Sequence, residues 1–201
     1  MRVITGSARG HPLKVPKSAA TRPTPARAKE AMFSSLGDGV AEARVLDLFA
    51  GSGAFGIEAL SRGAAHAVFV ELDGMACATL RENLRSTRLE TGAILMDTDV
   101  PNALESLAAR GEMFDIIFAD PPYFRVKGQG SRVKVASKRQ SIDDWKYFLL
   151  HSDDLKQVLT PEGLLLIEYD KRDAGFESPH FKPQKDFRFG DTLITMFCHH
   201  P

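Results

Sequence analysis

Between residues 43 and 169 the chain alternates short apolar runs with stretches in which apolar residues recur every three or four positions. The apolar runs have the length of buried strands, and the stretches between them have the period of helices. This alternation predicts a parallel sheet that is covered by helices on both faces. The predicted strands are residues 44–49, 67–71, 93–97, 114–120 and 163–169.

Two further apolar runs, residues 185–189 and 193–198, are separated only by Gly190 and Asp191. So short a connection predicts an antiparallel hairpin, which completes a mostly parallel seven-stranded α/β sheet. Ahead of the first strand, residues 3–5 and 13–16 are expected to pair as a small hairpin. Thr24 and Pro25 have the residue types of a helix start, and that helix is expected to end near Leu36.

Composition describes a globular protein of one domain: 201 residues, 43% of them hydrophobic, with 26 basic and 26 acidic side chains. No apolar run approaches the roughly 18 to 20 residues of a membrane span, and the N-terminus lacks the apolar core of a secretory signal. We therefore expect a cytoplasmic protein without membrane contacts. Two cysteines, Cys77 and Cys198, are too few for a disulfide framework.

The charges are unevenly distributed along the chain. Residues 1–29 hold seven basic side chains and no acid, and residues 124–142 hold six basic side chains and no acid, which leaves 13 basic residues beside all 26 acids. Such basic segments are typical of a polyanion site, although a solvated loop has the same composition. We divide the chain into a basic hairpin-and-helix extension, residues 1–36, and a main α/β domain, residues 37–201, with a basic insert at about 124–142.

A glycine-containing motif follows the first predicted strand and runs from Asp47 to Gly56. Glycines allow backbone to approach a ligand closely, and the start of the next helix offers free N–H groups. Glu71 ends the second strand 20 residues after Gly51, where a ribose-binding acid stands in nucleotide-binding folds. The motif thus favours a cofactor that contains adenosine. It does not show whether that cofactor carries nicotinamide, and a purely structural tight turn stays open as the alternative.

The motif Asp120-Pro-Pro-Tyr123 ends the fourth predicted strand. Two prolines fix a rigid turn, in which the Asp120 carboxylate and the Pro121 carbonyl can accept both hydrogens of a planar amine. Tyr123 can stack on the attached ring. The alternative is a structural turn with a surface aromatic residue. Because ligands of open α/β sheets bind where the strand order reverses, both motifs are expected to face one crevice.

Together, LDLFAGSGAFGIEALSRGA and DPPY resemble the class I S-adenosylmethionine-dependent methyltransferases, which have a Rossmann-like fold. Within them the chain resembles the bacterial 16S ribosomal RNA (guanine-N2)-methyltransferases, the RsmD family. The segments MRVITGSARGHPLKVP and TRPTPARAKEAMFSSL carry the same resemblance. It extends from Met1 to about Pro122 and again over residues 163–169, whereas the basic insert departs from it.

The resemblance implies roles for individual residues. It assigns the methionine end of the cofactor to Asp47, Gly51 and Gly53, the ribose hydroxyls to Glu71, and the adenine amine to Asp99, with Asp97 or a helix-capping role as alternatives. The remaining residues that we assign are Phe49 and Leu72 at the cofactor, and, for RNA binding, Arg22, Arg27, Arg132, Lys134, Lys138 and Arg139.

The activity implied is attack by a guanine N2 amine on the sulfonium methyl group, which leaves S-adenosylhomocysteine. The expected partner is 16S rRNA or the small ribosomal subunit, with no obligatory protein partner, and no metal because the six histidines lack ligand spacing. Three alternatives stay open: an adenine-N6 or cytosine-N4 DNA methyltransferase, a protein glutamine methyltransferase, in which asparagine is common at the position of Asp120, and a non-catalytic RNA-binding relative. Trp145 and Tyr147 are expected to pack rather than to bind RNA.

Overall fold

The computed structural model of the protein describes residues 1–16, 26–121, 145–173, 175 and 177–200. This part of the chain contains seven strands and six α-helices. In chain order they are α1 (Ala26–Leu36), β1 (Arg44–Leu48), α2 (Ala54–Ser61), β2 (His66–Glu71), α3 (Gly74–Thr87), β3 (Ala93–Asp97), α4 (Val100–Ala109), β4 (Phe114–Ala119), α5 (Trp145–His151), α6 (Asp153–Val158), β5 (Leu159–Asp170), β6 (Phe181–Phe189) and β7 (Thr192–His199).

The strands form one sheet in the order β3-β2-β1-β4-β5-β7-β6. The first five strands in this order are parallel to one another, and β7 is antiparallel to both β5 and β6, so the predicted fold class is confirmed. The sequence placed the start of β5 four residues too late, because Pro161 and Gly163 look like loop residues. A register shift opposite Phe114 and Ile116 of β4 accommodates them within the strand.

Helices cover both faces of the sheet and bury two apolar clusters. One cluster joins the sheet to α1, α2, α3 and the N-terminal segment, and it includes Val3, Phe33 and Phe118. The other joins the sheet to α4, α5 and α6, and it includes Leu104 and Leu155. Such helix–sheet–helix layering positions the carboxyl ends of the parallel strands along one open edge. No helix among the described residues has the length and apolar character to cross a membrane.

Side chains at the ends of the helices satisfy backbone groups that the helix leaves unpaired. Asp73 caps α3 by accepting the Ala76 N–H at 2.8 Å, and Arg88 ends that helix in the left-handed conformation with φ of 59°. Both features follow from general capping rules, in which aspartate is favoured before the first turn and a left-handed residue after the last. The Asp73 cap allows α3 to begin at Gly74, shortly after the carboxyl end of β2 at Glu71.

The N-terminal segment, residues 1–16, pairs with itself in a shorter antiparallel arrangement and a different register than the predicted pairing of residues 3–5 with 13–16. One isolated bridge joins Arg2 to Pro12, and the Val3 N–H donates to the carbonyl of His11 at 3.0 Å. The N–H groups of Ile4 and Thr5 donate instead to the carboxylate of Glu58 on α2, at 2.8 and 3.0 Å. The antiparallel pairing therefore stops at Val3, and Glu58 anchors the next two residues to α2.

Glu58 also organises a buried ion cluster beneath α1. Its carboxylate lies 3.0 Å from the ammonium of Lys29 and 2.9 Å from Nε of Arg62. Lys29 is 3% exposed and Glu58 is fully buried. Burial lowers the pKa of Lys29, and the charge of Glu58 acts in the opposite direction. The cluster therefore connects the N-terminal segment, α1 and α2 around charges that depend on one another.

Candidate active site

The loop after β1 makes a tight turn in which three residues have positive φ. These values are 61° at Phe49, 54° at Gly51 and 78° at Gly53. A Cβ atom on Gly53 would lie 2.2 Å from a methyl carbon of Leu80, so a larger residue there would have to displace the end of that side chain as well as adopt a positive φ. A positive φ is uncommon for a residue as bulky as Phe49 and indicates a loop that its surroundings hold in place.

Glu71 connects this loop to the end of β2. One carboxylate oxygen accepts the Gly51 N–H at 2.8 Å, and the other accepts the N–H groups of Leu72 and Asp73 at 2.8 Å each. A carboxylate oxygen can accept two hydrogen bonds, so the oxygen that faces Gly51 has capacity for a hydroxyl group. Leu72 is 48% exposed beside it and offers apolar surface at the same edge.

Replacing Glu71 with glutamine is expected to raise the dissociation constant of S-adenosylmethionine by roughly 10- to 100-fold, which is the loss of one or two hydrogen bonds to a charged acceptor. The amide also brings N–H groups towards the N–H groups of the loop. Titration calorimetry measures the affinity. Glu82→Gln on the exposed side of α3 is the matched control and should leave it unchanged, whereas equal affinities for all three proteins would contradict the assignment.

Asp47 lies under the glycine-containing loop and is almost fully buried. Its carboxylate accepts the Gly56 N–H in the first turn of α2 at 2.9 Å. Burial raises the pKa of Asp47 to about 7, the hydrogen bond from Gly56 and the charge of Lys29 lower it, and the charge of Glu71 raises it. A cationic amine bound at this loop would favour the charged carboxylate, as the methionine end of the cofactor requires.

This raised pKa predicts a pH dependence of stability. Folded protein retains a proton on Asp47 that the unfolded chain loses near pH 4, so the free energy of unfolding should fall as the pH rises from about 4 to about 7. The total effect is at most on the order of 4 kcal/mol. Asp47→Asn should lack this slope in urea unfolding across the range, and parallel pH profiles for the two proteins would disprove the assignment.

Asp97 is the last residue of β3, and Asp99 lies two residues further along the chain in a different environment. Asp99 caps α4, where it accepts the backbone N–H of Asn102 at 2.9 Å and its side-chain N–H at 3.0 Å. Asp97 is exposed at the end of β3, with an oxygen 3.8 Å from Arg81. The capping role that the sequence left open for Asp99 is thus present, and a contact of either residue with adenine stays a prediction.

Asp120 and Pro121 lie directly beside the glycine-containing loop. Leu48 of β1 is the register partner of Ala119 of β4, so Phe49 and Asp120 leave neighbouring strands at the same level. Parallel strands are about 4.8 Å apart, which brings Asp120 and Pro121 to the glycine-containing loop at the point where the strand order reverses. Asp120 is partly exposed there and Pro121 is buried.

Most of the other predicted residues lie outside the described residues. Arg27 is exposed in the first turn of α1. Residues outside the described ranges are Tyr123, Arg22, Arg132, Lys134, Lys138 and Arg139. Among the side chains that the structure describes, no group of three or more His, Cys, Asp or Glu could hold a metal ion.

Two side chains near the loop were not predicted to support it. Asn83 of α3 is 1% exposed, and its amide nitrogen donates to the carbonyls of Ser52 and Lys14 at 2.9 and 3.0 Å. Trp145 packs edge-on against Phe49, with ring centroids 4.8 Å apart. An asparagine on the apolar side of a helix is a usable sequence signal, whereas the packing of Trp145 depends on a contact 96 residues away in sequence. Tyr147, expected to pack, is 60% exposed and stacks on His151.

Strand order, the antiparallel final strand pair and the glycine-containing loop after β1 define the Rossmann-like fold of the class I S-adenosylmethionine-dependent methyltransferases. A family model described as "Conserved hypothetical protein 95" matches residues 1–198. The chain therefore belongs to this family, which is the RsmD family of methyltransferases. The resemblance on which the sequence analysis relied is confirmed.

Individual relatives agree with this membership. The chain is 37% identical over 171 residues to the "Putative rRNA methyltransferase YlbH" of Bacillus subtilis, covering 85% of this chain and 83% of that one. It is 40% identical over 125 residues to the Ribosomal RNA small subunit methyltransferase D of Escherichia coli, covering 62% and 61%. Among solved structures, "Putative methyltransferase yhhF" of Escherichia coli superimposes with a TM-score of 0.75 at 30% identity, covering 99% and 97%.

Proposed function

We propose that this protein transfers a methyl group from S-adenosylmethionine to the N2 amine of a guanine in 16S rRNA. The observation that carries the proposal is the position of Asp120 beside the glycine-containing loop, at the switch between β1 and β4. Relatives whose names state ribosomal RNA methylation support the substrate class. The guanine and its N2 amine are inferred from the family resemblance and from the amine-binding turn.

The residues of the loop fit the cofactor. Glu71 would accept a ribose hydroxyl with the oxygen that faces Gly51, and Leu72 would cover one side of the adenine ring. Asp47 would balance the charge of the methionine amine from beneath the loop. When bound, S-adenosylmethionine supplies an electrophilic methyl group on a positively charged sulfur. The protein therefore has to supply position and desolvation rather than a strong base.

Asp120 and the carbonyl of Pro121 would hold the two hydrogens of the amine and aim the nitrogen lone pair at the methyl group. In the transfer a nitrogen–carbon bond forms as the carbon–sulfur bond breaks, and the sulfur keeps the electron pair. The negative charge of Asp120 stabilises the positive charge that develops on nitrogen, and the extra proton leaves afterwards. Tyr123 is assigned to stacking on the base, which must leave its helix to reach the turn.

The acid-free segments are the assigned RNA contacts. Arg27 is exposed on α1, the helix whose Phe33 packs against Phe118 of β4. Arg22 belongs to the same basic segment, and Arg132, Lys134, Lys138 and Arg139 belong to the insert that begins just after Asp120 and Pro121. Positive side chains on both chain segments around a base-binding turn would supply phosphate contacts that do not depend on sequence.

The test is transfer of a radiolabelled methyl group to unmodified 16S rRNA, to small ribosomal subunits that lack the modification, and to unmethylated DNA, followed by digestion to nucleosides. We expect N2-methylguanosine from the rRNA or from the subunit. Label in adenine or cytosine of DNA would replace the proposal by a DNA methyltransferase. No label in any pool, with S-adenosylmethionine still bound, would favour a protein substrate or a non-catalytic relative.

A further inference from the structure

Glu168 is a buried acid at the end of β5 that none of the preceding assignments uses. Ala119 of β4 pairs in register with Ile167 of β5, so the next residues along the two parallel strands, Asp120 and Glu168, lie side by side. Side chains alternate between the faces of a strand, and Phe118 and Leu166 both point into the cluster beneath α1. Asp120 and Glu168 therefore share that face of the sheet, at its carboxyl edge.

The described side chains that line the cavity beside Glu168 are apolar. Glu168 is 4% exposed and borders a narrow cavity whose other lining residues are Met32, Phe55, Phe118, Ala119, Leu166 and Ile194. A carboxylate is rarely buried this completely in an apolar environment. It has about four acceptor positions on its two oxygens, so it can hold a partner within the protein and still accept a hydrogen bond from a bound molecule.

The bases that carry an exocyclic amine differ in the ring atom next to it. Guanine presents an N1–H donor beside its N2 amine. Adenine and cytosine present a bare ring nitrogen, an acceptor, beside theirs. An ionised carboxylate can only accept, so placed beside an amine-binding turn it favours guanine and repels the lone pair of the other two bases.

We propose that Glu168 is a specificity-determining residue, which accepts the N1–H of the target guanine while Asp120 and Pro121 hold the N2 amine. This inference rests on the proposed function and explains how one turn that binds amines can select one base. The Met32 and Phe118 side chains beside Glu168 exclude water from that hydrogen bond, which strengthens it relative to a bond at the surface.

The experiment compares guanine with 2-aminopurine at the target position. The position is first mapped by digesting labelled 16S rRNA, and a synthetic RNA that carries 2-aminopurine there is ligated into the rRNA. 2-Aminopurine keeps the amine but has a bare N1 and no O6, so the wild-type protein should methylate it at least roughly 10- to 100-fold more slowly than guanine, and a glutamine variant separates the N1 contribution from that of O6.

Glu168→Gln provides the second arm, because a glutamine amide can donate to a bare N1 as well as accept from N1–H. We expect the variant to lose roughly 10-fold or more on guanine and little or nothing on 2-aminopurine, so its preference between the two bases shrinks. Tyr169→Phe is the matched control, since it removes a buried polar group from the next residue of β5 and should leave the preference unchanged. Thermal unfolding and S-adenosylmethionine affinity establish that each variant is folded.

The outcomes separate this inference from the proposed function. Failure of the wild-type protein to form N2-methylguanosine would overturn the proposed function. Normal formation of that product, with an equal rate on 2-aminopurine or an equal loss on both bases in Glu168→Gln, would overturn the role of Glu168 alone. If the glutamine variant does not fold, Glu168→Asp takes its place. This variant keeps the acceptor and should keep the preference for guanine, so an Asp variant without that preference would also contradict the role of Glu168.

Discussion

Replacing Asp120 with alanine is expected to lower the rate of methyl transfer by about 10²- to 10⁴-fold, the range seen when one oriented polar group is removed from a reacting centre. The dissociation constant of S-adenosylmethionine should change by less than about threefold, because its assigned contacts lie on the loop after β1 and at the end of β2. Single-turnover kinetics with saturating cofactor measure the transfer step, and calorimetry measures the affinity.

Asp120→Asn divides this effect into two parts. The asparagine carbonyl can still accept one amine hydrogen, whereas its missing charge no longer stabilises the positive nitrogen, so we expect a rate between those of wild type and alanine. Asp115→Ala is a control on the same strand, since Asp115 lies near the amino end of β4, where its carboxylate accepts the Arg44 N–H at 2.8 Å. A rate for Asp120→Ala near that of Asp115→Ala would remove the amine-binding turn from the mechanism.

Much of the fold was readable from the sequence because the parallel strands are uniformly apolar. The run AILMD gave β3 with its observed bounds, Ala93–Asp97, and the bounds of β1, β2 and β4 each differ by one residue at one end. The errors lie where tertiary contacts decide the backbone. Residues 3–5 have the composition of a strand, but only Val3 pairs with the returning segment, and Glu58 accepts the N–H groups of Ile4 and Thr5.

The residues of the candidate site also divide into those that the sequence could predict and those that it could not. Gly51, Gly53, Glu71 and Asp120 were readable because turn chemistry and the ends of strands fix their positions in any sheet of this order. Glu168 could have been noticed as the one charge within the apolar run GLLLIEY. Its position beside Asp120 could not, because that depends on the register between β4 and β5, which includes an irregularity that the sequence does not announce.

Replacing Glu58 with glutamine is expected to lower the free energy of unfolding by about 3–5 kcal/mol, the usual cost of removing one partner from a buried ion pair. The variant would leave the ammonium of Lys29 buried beside an amide and would weaken the acceptor for the N–H groups of Ile4 and Thr5. Urea unfolding measures the loss. Glu112→Gln is the control, because its ion pair with Arg44 is exposed and should contribute no more than about 1 kcal/mol.

The pH dependence of this variant identifies the cause of the loss. Burial lowers the pKa of Lys29, and without the charge of Glu58 that pKa should fall further. The unfolded chain then holds a proton that the folded protein lacks, so the free energy of unfolding of Glu58→Gln should rise with pH up to about 10.5, more steeply than that of wild type. Adding Lys29→Met should restore part of the lost stability and flatten the profile. A double variant less stable than Glu58→Gln alone would show that the hydrogen bonds to the N-terminal segment, and not the unpaired charge, account for the loss.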